Sequence, residues 1–102
     1  MAQCIIVYWR DIPAQVIIKA RRKTAKVQLT ERFEKAIDRA AMRAKLRDTD
    51  SYLAHWRRAE PEPCGDDLAA EAKAISDRLE ADYDDARLQQ LVEQGGLERP
   101  ET

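Results

Sequence analysis

Residues 3–23, QCIIVYWRDIPAQVIIKARRK, hold two short apolar runs that are joined by a turn and followed by a basic tract. The runs at residues 4–9 and 16–18 are rich in β-branched and aromatic side chains, which favours strands. Neither run alternates with polar residues, so we expect both faces of each strand to be covered. Because Pro13 lacks a backbone N–H, a four-residue loop is predicted at residues 11–14. The stretch therefore predicts an N-terminal β-hairpin.

Apolar residues at helical spacing follow the hairpin. Thr30 is a good N-cap and Glu31 complements the helix dipole, so a first helix is predicted to start there. One face of this helix carries Phe33, Ile37, Ala40, Ala41 and Ala44. A second helix is predicted to begin at Asp48 or Thr49. Its apolar residues, about one turn apart, are Tyr52, Leu53 and Trp56.

Two further helices are predicted after a Pro- and Gly-containing linker at residues 60–65. Asp66 or Asp67 is expected to cap the third helix, and Asp84 or Asp85 the fourth. The apolar face of the third helix consists of Leu68, Ala72, Ile75 and Leu79. That of the fourth consists of Leu88, Leu91 and Val92.

These elements predict an α+β fold in which an N-terminal β-hairpin packs against three or four α-helices. The chain has 102 residues, enough for one modest core. Residues 1–96 are predicted to form a single domain that ends at Gly95 and Gly96, with residues 97–102 as a frayed tail. The helix from Thr30 is expected to cover one face of the hairpin and the helix from Asp67 the other.

The composition indicates a globular protein, with 44% hydrophobic and 36% charged residues. No apolar run is long enough to cross a membrane, and the run at residues 4–9 is too short for a secretory signal. We therefore expect a cytoplasmic protein. Cys4 and Cys64 lie in no metal or redox spacing, and two free thiols are favoured over a disulfide.

Charge is distributed unevenly along the chain, although the net charge is only −1. Residues 1–58 contain 14 Lys and Arg against 6 Asp and Glu, and residues 59–102 contain 4 against 13. The balance is therefore +8 in the first part and −9 in the second. We expect the acidic helices to fold back over basic side chains of the first helices, which would orient them more than stabilise them.

The basic tract supports an alternative function in nucleic-acid binding. Its candidate phosphate ligands are Arg21, Arg22, Lys23 and Lys26, and Tyr8 or Trp9 would stack on a base. No helix-turn-helix, RNP, KH or zinc-finger motif accompanies the tract. A solvated connection between strand and helix explains it more simply, so nucleic acid is an unfavoured partner.

Catalytic and metal-binding patterns are not evident in the sequence. His55 is the only histidine, and no Ser, Cys or carboxylate accompanies it in a triad spacing. The acidic residues near Asp50 and Asp84 lack the glycine and the terminal glutamate of a calcium loop. All three glycines follow residue 64, so no phosphate-binding loop is present. We expect no enzymatic activity, no metal and no cofactor.

Four segments carry a family resemblance: VYWRDIPAQVI at residues 7–17, LTERFEKAIDRAAMRA at 29–44, DTDSYLAHWRR at 48–58 and LEADYDDARLQQLV at 79–92. Together they resemble the small bacterial virulence factor domain family over nearly the whole chain. Members of that family are often encoded near folate- and corrinoid-dependent methyl-transfer proteins. The resemblance implies an accessory role in one-carbon metabolism, with a methylenetetrahydrofolate reductase-like or corrinoid methyl-transfer protein as partner.

The resemblance also points to candidate partner-binding residues in its two most distinctive segments. They are Tyr8, Trp9, Arg10, Asp11, Pro13, Tyr52, Trp56 and Arg57. A recognition site at the turn and a buried Arg10–Asp11 bridge that stabilises the hairpin explain the motif about equally well.

The first strand is expected to have an unpaired edge. Basic residues at Lys19, Arg21 and Arg22 protect the second strand, whereas residues 3–9 contain no charge. No third strand is evident in the sequence. We therefore predict that the first strand pairs with another chain, either a second copy in a homodimer or the partner protein.

Overall fold

The computed structural model describes residues 2–45 and 49–97, and it confirms the α+β fold. An antiparallel sheet contains five strands in the described ranges: β1 Ala2–Trp9, β2 Ile12–Lys19, β3 Thr24–Gln28, β4 Trp56–Arg58 and β5 Glu62–Cys64. The four described helices are α1 Glu31–Arg43, α2 Thr49–Leu53, α3 Leu68–Asp82 and α4 Asp85–Glu93. Of the predicted tail, residues 98–102 lie outside the described residues.

The β1–β2 hairpin has a tighter turn than predicted. Arg10 and Asp11 alone separate the strands, and Arg10 adopts a left-handed φ of 54°. The predicted loop at residues 11–14 is therefore wrong, because Ile12 and Pro13 already belong to β2. Pro13 is tolerated there because it lies opposite Tyr8, beside a shift in the strand register.

Three short strands that were not predicted complete the sheet. β3 pairs with β2, while β4 and β5 pair with successive parts of β1. The predicted linker at residues 60–65 therefore contains β5, and Trp56 begins β4 instead of extending the second helix. A bond from the Ala59 N–H to the Ile6 carbonyl oxygen (2.9 Å) lies between the two.

These pairings overturn the prediction of an unpaired edge on the first strand. β1 is bonded to β2 on one side and to β4 and β5 on the other, so it lies inside the sheet. Pairing of a homodimer or a partner through β1 would require these strands to be displaced. In the described part of the chain, β3 forms the edge next to β2.

The helices pack on one face of the sheet. Core residues of α1, α3 and α4 belong to a single cluster with alternate residues of the hairpin, such as Cys4, Val16 and Ile18. Ile5 and Ile17 are cross-strand neighbours that are buried outside this cluster, on the opposite face. The prediction that the helix from Asp67 covers that second face is therefore wrong.

The described helix starts agree with the sequence analysis, and Asp48, one of the two predicted starts of the second helix, lies outside the described residues. The side chains of Asp67 and Asp84 cap α3 and α4 by accepting bonds from backbone N–H groups. Thr30 precedes α1 as predicted, but its hydroxyl instead donates to Glu80 of α3 (2.9 Å). Arg32 also binds Glu80 (3.1 Å), so an acidic residue of the second half joins the basic first half at this point.

Candidate functional site

Four predicted partner-binding residues meet where the β1–β2 turn lies beside β4. We call Tyr8, Arg10, Asp11 and Arg57 the turn surface. The Arg57 guanidinium lies 4.5 Å from the centre of the Tyr8 ring, donates to the Arg10 carbonyl oxygen (2.8 Å) and pairs with the Asp11 carboxylate (3.1 Å). The Arg57 side chain remains 49% exposed and that of Asp11 32% exposed. The contacts of Arg57 therefore fix the residues of the turn surface relative to one another, and the surface remains accessible.

Arg10 and Asp11 bind different elements. The Arg10 guanidinium donates to the Gly95 carbonyl oxygen (2.9 Å), lies 3.3 Å from Nε2 of His55 and stacks 5.4 Å from the Trp9 ring centre. The Arg10 N–H also donates to the His55 carbonyl oxygen (3.0 Å). Arg10 therefore links the turn to Gly95, which follows α4, and Asp11 links it to Arg57 of β4.

Two predicted site residues are buried. Trp9 is 0% exposed and Pro13 is among the largest fully buried side chains. The Trp9 indole N–H donates to the Tyr52 carbonyl oxygen (2.9 Å), and the two rings stack at 5.8 Å. Trp9 and Pro13 therefore act in packing, and Trp9 is not available to stack on a nucleic-acid base.

The remaining two predicted site residues, Tyr52 and Trp56, line a cavity of about 160 Å³. Their rings meet edge to face at 6.1 Å. From α1, Glu34 and Asp38 also line the cavity, and the rest of the lining consists of Ala14, Gln28, Leu29 and Ile37. We call this cavity the aromatic–acidic pocket. Sequence reasoning missed both carboxylates, although their spacing of four residues places them on one helix face.

The acidic side of the pocket affects Tyr52. Burial raises the pKa of the Tyr52 hydroxyl above its ordinary value, and the negative charges of Asp38 and Glu34 raise it further. Burial disfavours a charge of either sign, whereas the two carboxylates favour a positive charge in the pocket over a negative one.

This shift predicts a pH dependence of stability. Because the folded chain retains the Tyr52 proton more tightly than the unfolded chain, this stabilisation is present below about pH 10 and is lost as the pH rises further. We expect the free energy of unfolding to fall more steeply above about pH 10 in the wild type than in Tyr52→Phe, as measured by urea titrations at successive pH values. Parallel curves for the two proteins would contradict the assignment.

The basic tract lies far from the turn surface. Arg21, Arg22, Lys23 and Lys26 are exposed, and the first three form the connection between β2 and β3. The eight residues of β2 separate this connection from the Arg10–Asp11 turn, a distance of about 26 Å at 3.3 Å per residue. The tract therefore forms no joint surface with Tyr8.

The described ranges contain neither a metal-binding cluster nor a helix that could span a membrane. Within residues 2–45 and 49–97, no three His, Cys, Asp or Glu side chains are grouped so that they could hold a metal ion. No helix in those ranges has the length and apolar character needed for a membrane crossing. Cys4 and Cys64 are free thiols, as expected, and burial raises the pKa of both.

Comparison with known protein families identifies residues 7–92 as a match to the family described as "Virulence factor". The match covers most of the chain, so the chain belongs to this family. No curated protein and no solved structure matches it.

Proposed function

We propose that this member of the virulence factor family is a non-enzymatic accessory protein that binds a protein partner through the turn surface. The observation that carries the proposal is the convergence of the family's two most distinctive segments. Residues 8–11 and 52–57 are more than 40 residues apart, yet Arg57 stacks on Tyr8 and pairs with Asp11. The motif thus builds one accessible surface at one end of the sheet.

The composition and rigidity of this surface support protein binding. Tyrosine and arginine are enriched among the residues that dominate interface energies. Arg57 is held by two contacts from the turn, to the Arg10 carbonyl oxygen and the Asp11 carboxylate, so little conformational entropy remains to be lost on binding. A preorganised arginine of this kind suits a carboxylate or a carbonyl oxygen of a partner.

The family resemblance suggests the class of partner. We propose a protein of folate- or corrinoid-dependent methyl transfer, such as a methylenetetrahydrofolate reductase-like protein. The proposal takes the accessory protein to act in the cytoplasm and to need no cofactor of its own. It rests on the resemblance for the partner's identity and on the turn surface for the mode of binding.

Affinity purification from the native host tests the proposal with two matched variants. Arg57→Ala removes the stacked and paired guanidinium, whereas Arg58→Ala removes the next arginine of β4, which is also exposed. We expect recovery of the partner to fall at least about tenfold with Arg57→Ala, since charge-assisted bonds contribute about 1.5–3 kcal/mol. Recovery with Arg58→Ala should match the wild type. Thermal unfolding of each variant checks that the fold is retained.

Several results would contradict the proposal. The two variants could retain the same proteins as the wild type, which would exclude the turn surface. The purified chain alone could turn over a folate or a methyl donor, which would make it an enzyme. The retained material could be nucleic acid, with binding that weakens steeply with salt and disappears in the double variant Arg22→Glu, Lys23→Glu. That last result would establish the alternative function of the basic tract.

A further inference from the structure

We propose that the aromatic–acidic pocket receives an arginine side chain of the protein partner. The inference rests on the proposed function, because it assigns a second contact of the same partner. It also assigns a ligand to Glu34 and Asp38, which are not among the candidate partner-binding residues that the resemblance points to.

The pocket has the charge and the shape for a single cationic side chain. Glu34 and Asp38 lie on one face of α1, and neither is engaged in an ion pair or a side-chain hydrogen bond with another described residue. The lining also includes the rings of Tyr52 and Trp56, whose planes are at 82° to each other. A cavity of about 160 Å³ bounded by two carboxylates and two rings combines the two features that attract a cation.

The chain itself shows which cation fits such walls. Arg57 stacks 4.5 Å from the ring centre of Tyr8 while pairing with Asp11. Similarly, Arg32 stacks 4.7 Å from the ring centre of Phe33 while pairing with Glu80 of α3. In both places one arginine stacks on an aromatic ring and pairs with a carboxylate at the same time.

The aromatic–acidic pocket has the ring and the carboxylate of this arrangement, but no described cation lines it. A guanidinium is planar and weakly hydrated, so it can stack on Trp56 and bond a carboxylate at the same time. A lysine ammonium carries the same charge but cannot stack or bind in a bidentate manner. The pocket therefore favours arginine over lysine.

The position of the pocket allows one partner to occupy it and the turn surface together. Trp56 and Arg57 are consecutive in β4, so their side chains point to opposite faces of the strand. Trp56 lines the pocket and Arg57 belongs to the turn surface. A partner segment that passes over the end of β4 from one face to the other would contact both the pocket and the turn surface.

Nuclear magnetic resonance titration of the full chain with N-acetyl-L-arginine N-methylamide tests the inference. We expect saturable shifts of the Trp56 indole N–H and of the Gln28 amides, with a dissociation constant in the millimolar range. The corresponding citrulline compound, which has the same shape without the charge, should bind at least about tenfold more weakly, and the lysine compound several-fold more weakly. Equal affinity for citrulline or lysine would overturn the arginine assignment.

Matched variants locate the binding. The double variant Glu34→Gln, Asp38→Asn should weaken the arginine compound about tenfold or more, because both charge-assisted contacts become neutral. Glu31→Gln neutralises a carboxylate one turn earlier on α1, outside the pocket, and should leave the affinity unchanged. Equal weakening by both changes would indicate general charge attraction and contradict a site.

Further outcomes separate the inference from the function on which it rests. Free L-arginine binding more than tenfold tighter than the capped compound would identify a small-molecule site and overturn the assignment to a protein partner. If Arg57→Ala abolishes recovery of the partner but the double variant Glu34→Gln, Asp38→Asn still recovers it fully, the inference fails while the proposed function stands. If the capped compound binds as expected but Arg57→Ala recovers the partner fully, the turn surface fails as the docking site while the pocket's preference stands.

Discussion

Gly96→Ala is expected to lower the free energy of unfolding by about 2–5 kcal/mol. Gly96 has a φ of +91°, which costs an L-residue about 1–2 kcal/mol. An added Cβ would lie 2.7 Å from Cζ3 and 3.2 Å from Cε3 of Trp9. Because Trp9 is fully buried and close-packed, relieving this overlap costs about a further 1–3 kcal/mol. Urea unfolding monitored by circular dichroism measures the difference.

The other two glycines provide a graded control. Gly95 also has a positive φ, of +70°, but an added Cβ would lie no closer than 3.4 Å to its neighbours, so Gly95→Ala should cost only about 1–2 kcal/mol. A Cβ at Gly65 would meet the end of the flexible Glu71 side chain, and Gly65→Ala should stay within about 1 kcal/mol of the wild type. Equal stabilities of the Gly96 and Gly65 variants would contradict the close approach to Trp9.

Trp9→Ala is expected to cost about 3–5 kcal/mol, the usual loss for a buried tryptophan. Trp9 is 0% exposed, and its indole N–H donates a hydrogen bond to the Tyr52 carbonyl oxygen. Its ring also contacts His55 at 5.8 Å and supports the Arg10 guanidinium. α2 has five residues, none of them buried, so its position depends on this anchor. Amide exchange in α2 should accelerate together with the loss of global stability measured by urea titration.

Trp56→Ala is the matched control for this variant. Trp56 is paired with Trp9 across β1 and β4, but it is only partly buried and lines the pocket. Its removal should cost about 1–2 kcal/mol, because less apolar surface is lost from the interior. If both tryptophan variants proved equally destabilised, the distinction between the anchoring and the pocket-lining residue would be wrong.

A large part of the fold could be predicted from the sequence, because the relevant signals are local. The caps at Asp67 and Asp84 act within three residues, and the apolar spacing of α3 and α4 repeats over several turns. The apolar runs of β1 and β2 are long enough to indicate strands. The turn between them is shorter than predicted, because the register shift beside Tyr8 accommodates Pro13 within β2, although proline usually favours a loop.

The candidate site was predicted only in part. The sequence identified the residues of the turn surface, which the structure brings together through the Arg57 contacts. It did not distinguish the buried Trp9 from the accessible Tyr8, since adjacent aromatic residues in an apolar run carry no burial signal. It also gave no reason to associate Glu34 and Asp38 with Tyr52, which lies beyond the end of α1.

The α+β class, the hairpin and the starts of the main helices each depend on residues that lie within a few positions of one another, so local sequence specifies them. The place of β1 inside the sheet depends on tertiary pairing, since β4 and β5 have three residues each and form by pairing with a strand about 50–60 positions earlier. The same long-range pairing places Arg57 on Tyr8 and Trp56 opposite Trp9. Both candidate binding surfaces therefore result from backbone bonds between distant segments, which no local pattern of side chains encodes.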